Sequence, residues 1–298
     1  MPNDASRPAA QAGFVYAFAT PGHAQPIVVQ SDYAVEPYLR LFLINWPFER
    51  LPGGTAAPQI LLRQAGQRVA VELANSKLDA LDAMSELDGV NCLADLLSHV
   101  AASRQPELAE LHASSVLVDG KLILFVGPSL SGKSSLALQL AARGYRIFSD
   151  DRLLIGPLAG ASRAPIGMAL GLTPRVRRPP HPAAGALFAE FVARHVVKGG
   201  GNVGFLPLDG RSIADAAETA PLGALVLPER QETGGVVLRP AGAAAASRVM
   251  LEQMHAPDVA AVDFLAAIRR LTQALPAWHL QYDDSAKAAL AAKDLMAG

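Results

Sequence analysis

The stretch from Gly127 to Ser134, with the sequence GPSLSGKS, matches the pattern G-x-x-x-x-G-K-[ST] in full. Loops with this pattern turn backbone N–H groups toward phosphate oxygens and lead into a helix whose positive end faces the same anion. The lysine adds a cation, and the hydroxyl that follows it is a ligand for Mg²⁺. The motif therefore predicts binding of a nucleoside triphosphate, which we take to be ATP, together with Mg²⁺.

Seven residues in and next to this motif are expected to contact the nucleotide. We expect the Lys133 ammonium at the β- and γ-phosphates and the Ser134 hydroxyl on the metal ion. The expected nucleotide-binding set is Gly127, Ser129, Ser131, Gly132, Lys133, Ser134 and Ser135.

The segments on both sides of the motif fit the strand, loop and helix context that it requires. Residues 121–126, KLILFV, are typical of a buried strand, and residues 135–143, SLALQLAAR, have helical spacing. Asp119 and Gly120 join the strand to the preceding run SSVLV, and Asp-Gly between apolar runs is a strong hairpin signal. The strand before the loop is therefore expected to pair antiparallel with its predecessor, unlike the lone first strand of doubly wound kinases.

Transfer of a phosphoryl group to an alcohol also requires a carboxylate near the incoming hydroxyl. Asp150 and Asp151 follow the predicted strand 145–148, the next one after the loop helix. We expect Asp150 to act as the base and Asp151 to be the partner of Mg²⁺ or of Lys133, with a helix-capping or solvated turn as the alternative. His112 precedes the hairpin and is a further catalytic candidate, as a phosphate contact or proton relay. A surface or core histidine is the alternative.

Basic residues after Asp151 predict a role less specifically than the residues of the motif do. Arg175, Arg177 and Arg178 lie in a proline-rich stretch and are candidates for a clamp on the transferred group, with a solvated basic loop as the alternative. Lys198 lies beside the glycines of residues 199–201 and is a candidate lid residue, with an exposed lysine as the alternative.

Composition excludes several classes of protein. The chain has 298 residues and a formal net charge of -1, so it lacks the basic excess that is usual in nucleic-acid-binding proteins. A single cysteine, Cys92, rules out an intrachain disulfide. Residues 1–12 lack the apolar core of a signal peptide, and no apolar run approaches the length of a membrane span. We therefore expect a cytoplasmic protein that binds neither nucleic acid nor membrane.

The pattern along the chain predicts an α/β protein in two parts. Short alternating runs predict strands in the first hundred residues, followed by a helix over residues 93–100. We place a boundary there, between a β-rich N-terminal module at residues 1–105 and a kinase domain at residues 106–298. The first part is a candidate for substrate recognition. Residues 156–182, with six prolines, are expected to be irregular.

The sequence from His112 to Asp151 strongly resembles the catalytic core of HPr kinase/phosphorylase. That family has a histidine, a hairpin, a phosphate loop, an Ala-Leu-x-Leu helix, Arg-Gly and an Asp-Asp pair in this order. The resemblance implies a P-loop core with a mixed sheet, as in ATP-dependent phosphoenolpyruvate carboxykinase, and phosphorylation of a serine hydroxyl. It also implies active-site roles for His112, Lys133, Ser134, Asp150 and Asp151.

The rest of the chain departs from that family. The Glu-x-Arg-Gly signature of bifunctional HPr kinases is absent, so phosphorylase activity and HPr as substrate do not follow. The layout, including the segment LPAWHLQYD at residues 275–283, is similar to HPr-kinase-related proteins of bacterial peptide-modification clusters, some of which act on lasso-peptide precursors. This looser resemblance implies a peptide or protein partner with an acceptor serine. The family also often forms rings, which makes a homo-oligomer an open expectation.

The expected function is therefore an ATP- and Mg²⁺-dependent kinase acting on a serine of a peptide or protein. One alternative is a small-molecule kinase whose acceptor is free serine, a sugar or an acid. Another is a non-catalytic module that binds a peptide under the control of a nucleotide. The paired aspartates favour an enzyme, because a module that only binds needs no base.

Overall fold

A computed structural model describes residues 13–20, 23–54, 56–74, 76, 79–159, 164–181, 184–198, 202–256 and 259–296. Contacts divide the chain into two compact units. The first extends to Leu39 and resumes over Pro47–Val100, and the second comprises Arg40–Trp46 and Ala101–Gly298. The expected domain boundary between residues 105 and 106 stays a prediction about independent folding.

The first unit is built on a mixed sheet, which has six strands within the described residues, in the order β3-β1-β2-β4-β5-β6. Neighbouring strands are antiparallel, except that β2 and β4 are parallel. The elements that begin in this unit are β1 Phe14–Thr20, β2 His23–Ser31, α1 Glu36–Phe42, β3 Phe48–Leu51, β4 Ile60–Ala65, β5 Arg68–Leu73, β6 Leu81–Ala83 and α2 Glu86–Ser103.

The second unit alternates strands and helices around a larger mixed sheet. Its elements are β7 Ala109–Leu111, β8 Ala113–Val118, β9 Lys121–Val126, α3 Lys133–Ala141, β10 Arg146–Ser149, β11 Leu153–Gly156, β12 Ile166–Ala169, β13 Arg175–Arg177, α4 Ala186–His195, β14 Val197–Lys198, β15 Val203–Phe205, β16 Thr219–Arg230, β17 Val236–Pro240, α5 Ala243–Gln253, β18 Met254–His255, α6 Ala261–Ala274, β19 Ala277–Tyr282 and α7 Ser285–Asp294. The expected α/β class is confirmed. None of the helices in the described ranges is both long and apolar enough to cross a membrane.

Strand directions in the large sheet decide where the loops meet. The order is β10-β8-β9-β16-β12-β11-β7-β18, with β19 also paired to β16 and β17 to β19. Strand β8 is antiparallel to both β9 and β10, whereas β16 is parallel to β9 and β19 is parallel to β16. Strands β9, β10, β16 and β19 therefore end at the same edge of the sheet, where β8 begins.

The core explains why β9 is apolar from Leu122 to Val126. Leu122, Leu124 and Val126 belong to a cluster that includes side chains of α5 and α6. Ile123 and Phe125 belong to a second cluster, with side chains of α3 and α7. Successive residues of a strand point to opposite faces, so both faces of β9 are covered by helices and its end is held firmly.

The expected hairpin is confirmed, and the irregular region was predicted wrongly. Val118 pairs with Lys121, and Asp119 and Gly120 both have positive φ, 48° and 76°, as a two-residue type I′ turn requires. Residues 156–182, expected to be irregular, include β12 and β13. Their strands are only three or four residues long and lie among prolines, so they show little periodicity. Residues 1–12 and 199–201, and the side chain of Lys198, lie outside the described part of the protein.

Candidate functional site

The phosphate-loop motif lies at the sheet edge where the parallel strands end. It follows β9, while Asp150 and Asp151 follow β10. Arg230 and Tyr282 are the last residues of β16 and β19 and face each other in the register of these strands. His112 directly precedes β8, which begins at this edge. The fold therefore gathers five segments that are distant in the sequence.

A cavity of about 750 Å³ opens at this edge. Seven of the expected catalytic and nucleotide-binding residues line it, namely His112, Ser129, Gly132, Lys133, Ser134, Ser135 and Asp151. Three others, Gly127, Ser131 and Asp150, are buried and are not part of the lining. The structure thus brings the expected set together, but not all of it reaches the cavity.

The phosphate loop has the donor groups that a triphosphate needs. Gly132 has a φ of 99°, in the left-handed region, and helix α3 begins at the next residue. The first N–H groups of a helix have no acceptor within it, so Lys133, Ser134 and Ser135 offer backbone donors beside the cavity that they line. This arrangement fits the oxygens of a polyphosphate.

The Lys133 side chain folds back across its own loop. Its Nζ donates to the carbonyl oxygens of Gly127, at 2.8 Å, and Pro128, at 3.1 Å, and the residue is 6% exposed. Burial lowers the pKa of Lys133, and the nearby charges of Asp151 and Asp150 oppose that shift. The ammonium thus lies at the cavity wall, held by groups that a phosphate can replace.

The two aspartates have different surroundings. Asp150 is 2% exposed: its Oδ1 accepts from the Ser114 hydroxyl at 2.6 Å, and its Oδ2 accepts from the Arg175 backbone N–H at 3.1 Å. Asp151 lines the cavity with a left-handed φ of 73°. Its Oδ2 lies 3.4 Å from Arg175 Nη2, and its Oδ1 lies 3.8 Å from His112 Nε2. Asp151 is therefore the carboxylate that an incoming group can reach directly.

The charges of Lys133 and Asp151 act on the pKa of His112 in opposite directions. Burial lowers the pKa of His112, and the positive charge of Lys133 lowers it further. Asp151 and Asp150 oppose this effect, whereas Arg152 adds to it. Because the pKa lies below the ordinary value of 6.5, the imidazole is neutral at pH 7.

The oxygen donors of the cavity fit Mg²⁺ that arrives with a nucleotide. The Ser134 hydroxyl and the Asp151 carboxylate line the same cavity. Among the described residues, no group of three or more His, Cys, Asp or Glu side chains could hold a metal ion. Mg²⁺ in phosphoryl-transfer sites usually takes one or two carboxylates, with phosphates and waters as its other ligands. This pair therefore suits such a shared site.

The arginines divide between the cavity and its surroundings. Arg175 and Arg177 of β13 line the cavity, but Arg175 is already engaged by Asp151. Arg178 is not part of the lining, and its backbone N–H donates to Asn202 O at 2.7 Å. A cation that sequence reasoning missed, Arg230, lines the cavity from β16.

Two further residues that contact the site were not predicted from the sequence, because their contacts join residues that are far apart in the chain. Tyr282 donates its hydroxyl to Ser131 O, and Ser114 donates to Asp150. A usable signal for Tyr282 was its place at the end of the run WHLQY, which is typical of a strand, since ends of parallel strands meet at one edge. Nothing in the sequence around Ser114 distinguishes it from its neighbour Ser115.

No protein-family model and no curated protein matches the chain. Among solved structures 45 chains match. One is the Hpr(Ser) kinase/phosphatase from Coxiella burnetii, at 13% identity and a TM-score of 0.31, with 62% of this chain and 92% of that chain covered. A likeness at this level carries no conclusion about function.

Proposed function

We propose that the protein is an ATP- and Mg²⁺-dependent kinase that transfers the γ-phosphoryl group to a serine hydroxyl of a peptide or protein. One observation carries the proposal: the phosphate loop and Asp151, from different strands, line the same cavity. A protein that only binds a nucleotide needs the loop, but it needs no base beside the phosphates.

The loop residues bind and orient the triphosphate in this proposal. Backbone N–H groups at the start of α3 meet the phosphate oxygens, and the Lys133 ammonium exchanges its bonds to Gly127 and Pro128 for bonds to phosphate. When Mg²⁺ is bound with the nucleotide, Ser134 and Asp151 would hold it, and it would neutralise charge on the phosphates.

The acceptor hydroxyl requires a carboxylate in reach. Asp151 is in the cavity and can meet the acceptor or Mg²⁺ without rearrangement. Asp150 takes the base role expected from the sequence only if Ser114 or the Arg175 backbone N–H releases one of its oxygens. His112, neutral at pH 7, can receive a proton beside Asp151.

The choice of a serine on a peptide or protein rests on the resemblance of residues 112–151 to the HPr kinase core. The lasso-peptide type of acceptor rests on the looser resemblance of the C-terminal layout. A small-molecule acceptor and nucleotide-gated binding without transfer are the competing outcomes of the test.

Mass spectrometry of reactions with MgATP, a library of serine-containing peptides and a panel of metabolites tests the proposal. We expect a phosphate on a peptide with the wild-type protein and none with Lys133→Ala. Lys121→Ala is the matched control, since Lys121 is exposed at the opposite end of β9. Phosphate on a metabolite alone would favour the small-molecule kinase, and nucleotide-dependent retention of a peptide without transfer would favour the binding module. Full activity in Lys133→Ala would contradict the loop assignment.

A further inference from the structure

Tyr282 touches the backbone of the phosphate loop from the far end of the chain. Its hydroxyl donates to Ser131 O at 3.0 Å, across 151 positions of sequence. The residue is 1% exposed and belongs to the core cluster that also contains Leu136 and Leu140 of α3 and Ala289 of α7. Packing therefore fixes the ring, and the hydroxyl reaches the loop.

The direction of this hydrogen bond is settled by the protonation state of the phenol. Burial raises the pKa of Tyr282 to about 12, although the charge of Arg230 opposes the shift. The hydroxyl thus keeps its proton at neutral pH and donates it to the Ser131 carbonyl. In a trans peptide unit the following N–H points opposite to the carbonyl, so the N–H of Gly132 is aimed away from Tyr282.

Gly132 shows how close the approach is. A Cβ atom added there would collide with the Tyr282 hydroxyl and lie 3.1 Å from its Cζ. The positive φ of Gly132 also disfavours any side chain. Gly132 is therefore required for two reasons: its backbone has a positive φ, and the Tyr282 hydroxyl leaves no room for a Cβ atom.

The turn after β19 makes a second attachment to the loop helix. Gln139 of α3 donates from Nε2 to the Ser285 hydroxyl at 3.0 Å, and Ser285 is the first residue of α7. Asp284 caps that helix by accepting from the backbone N–H groups of Ala286 and Lys287. The end of β19 and the start of α7 thus contact both the loop and the middle of the helix that follows it.

We propose that Tyr282 is a positioning residue for the phosphate loop. It holds the Ser131 carbonyl out of the phosphate position and keeps the Ser131–Gly132 peptide in the orientation that receives phosphate. A carbonyl free to turn inward would present a negative oxygen to the anion. The inference rests on the proposed function, since it assigns a role toward the nucleotide.

Substitution Tyr282→Phe in the full chain removes the hydroxyl and keeps the ring. We expect the Kd for MgATP, measured by calorimetry, and the KM for ATP to rise about 5- to 10-fold, as for the loss of one hydrogen bond. The value of kcat should change less than about twofold, because the loop binds ground and transition states alike. Inorganic tripolyphosphate, which offers the loop phosphates without a base or sugar, should lose affinity by the same factor.

Tyr145→Phe is the matched control, because Tyr145 packs against the same cluster and does not line the cavity. Hydrogen exchange supplies a second measurement: amides of residues 131–135 should exchange faster in nucleotide-free Tyr282→Phe than in the control. An unchanged Kd in Tyr282→Phe, or a loss for ATP without a loss for tripolyphosphate, would overturn this inference alone. If the wild-type protein bound neither ligand, the proposed function would fail, and this inference with it.

Discussion

Asp150 and Asp151 are neighbours in the chain, but their side chains have different surroundings. The left-handed backbone at Asp151 directs one carboxylate to the cavity, while the other stays buried against Ser114. A buried carboxylate with two donors is well satisfied, and a proton acceptor needs an oxygen that its substrate can reach. The Asp151 carboxylate, which lines the cavity, is therefore better placed than that of Asp150 to accept a proton from a substrate.

Variants of the pair decide between the two assignments. We expect Asp151→Asn to lower kcat by about 10²- to 10⁴-fold, the usual contribution of a general base, while ATP still binds. Asp150→Asn should retain more activity, since the Ser114 hydroxyl can turn to accept from the new amide. Steady-state kinetics and calorimetry provide the measurements. Asp283→Asn is the control, because Asp283 is the other carboxylate that lines the cavity. A larger loss in Asp150→Asn would return the base role to Asp150.

The lowered pKa of His112 predicts the acid side of the pH–rate profile. The imidazole gains its proton only below the ordinary value of 6.5, because burial and Lys133 disfavour the cation. If the neutral ring takes part, kcat/KM should fall as the pH drops through this lowered pKa. His112→Gln should flatten that limb between about pH 5 and about pH 7.

An NMR titration of the ring protons gives the pKa of His112 independently. His195→Gln serves as the control, because His195 lies on α4, hydrogen-bonded to Phe191 O, and does not line the cavity. A ring pKa above 6.5, or an acid limb that persists in His112→Gln, would remove the assigned role.

Gln139 ties three elements together at the level of secondary structure. It is fully buried on α3, and its Nε2 donates to Ser285 of α7 and to Ala184 O just before α4, the latter at 2.7 Å. Its Oε1 accepts from Arg143 at 2.8 Å. The helix after the phosphate loop is thus braced by polar contacts as well as by its apolar face.

Replacing this side chain by an apolar one of similar size should cost stability. We expect Gln139→Leu to lower the free energy of unfolding by about 1 to 3 kcal/mol, since a carbonyl and a hydroxyl lose their donor. Gln273→Leu on the exposed side of α6 should change it by less than about 0.5 kcal/mol. Urea denaturation measures both. Equal effects in the two variants would show that the brace contributes nothing.

Elements with local signals were predictable, and those set by distant pairing were not. The strand and helix on either side of the loop at residues 127–132, and the Asp119–Gly120 hairpin, depend on a few adjacent residues, so their patterns were sufficient. Strand β13 pairs with β15, which lies further along the chain, and the prolines around β13 obscure its strand periodicity. The burial of Asp150 depends on Ser114 and on the Arg175 backbone, which no local pattern reveals.

At the scale of the whole molecule, the fold concentrates charge that composition conceals. The chain carries a formal net charge of -1. Among the described residues that line the cavity, however, Lys and Arg number four and carboxylates number two, which are Lys133, Arg175, Arg177, Arg230, Asp151 and Asp283. A positively charged cavity on a molecule with a net charge near zero attracts polyanions to the cavity, without making the whole surface bind nucleic acid.

The Lys133 ammonium, held by two carbonyls of its own loop, has a consequence for selectivity. Any anion that recruits this cation must first break its bonds to Gly127 and Pro128. A lone orthophosphate would offer few replacement contacts, whereas a longer phosphate chain would engage the helix amides at the same time. We therefore expect the loop to bind a polyphosphate in preference to orthophosphate.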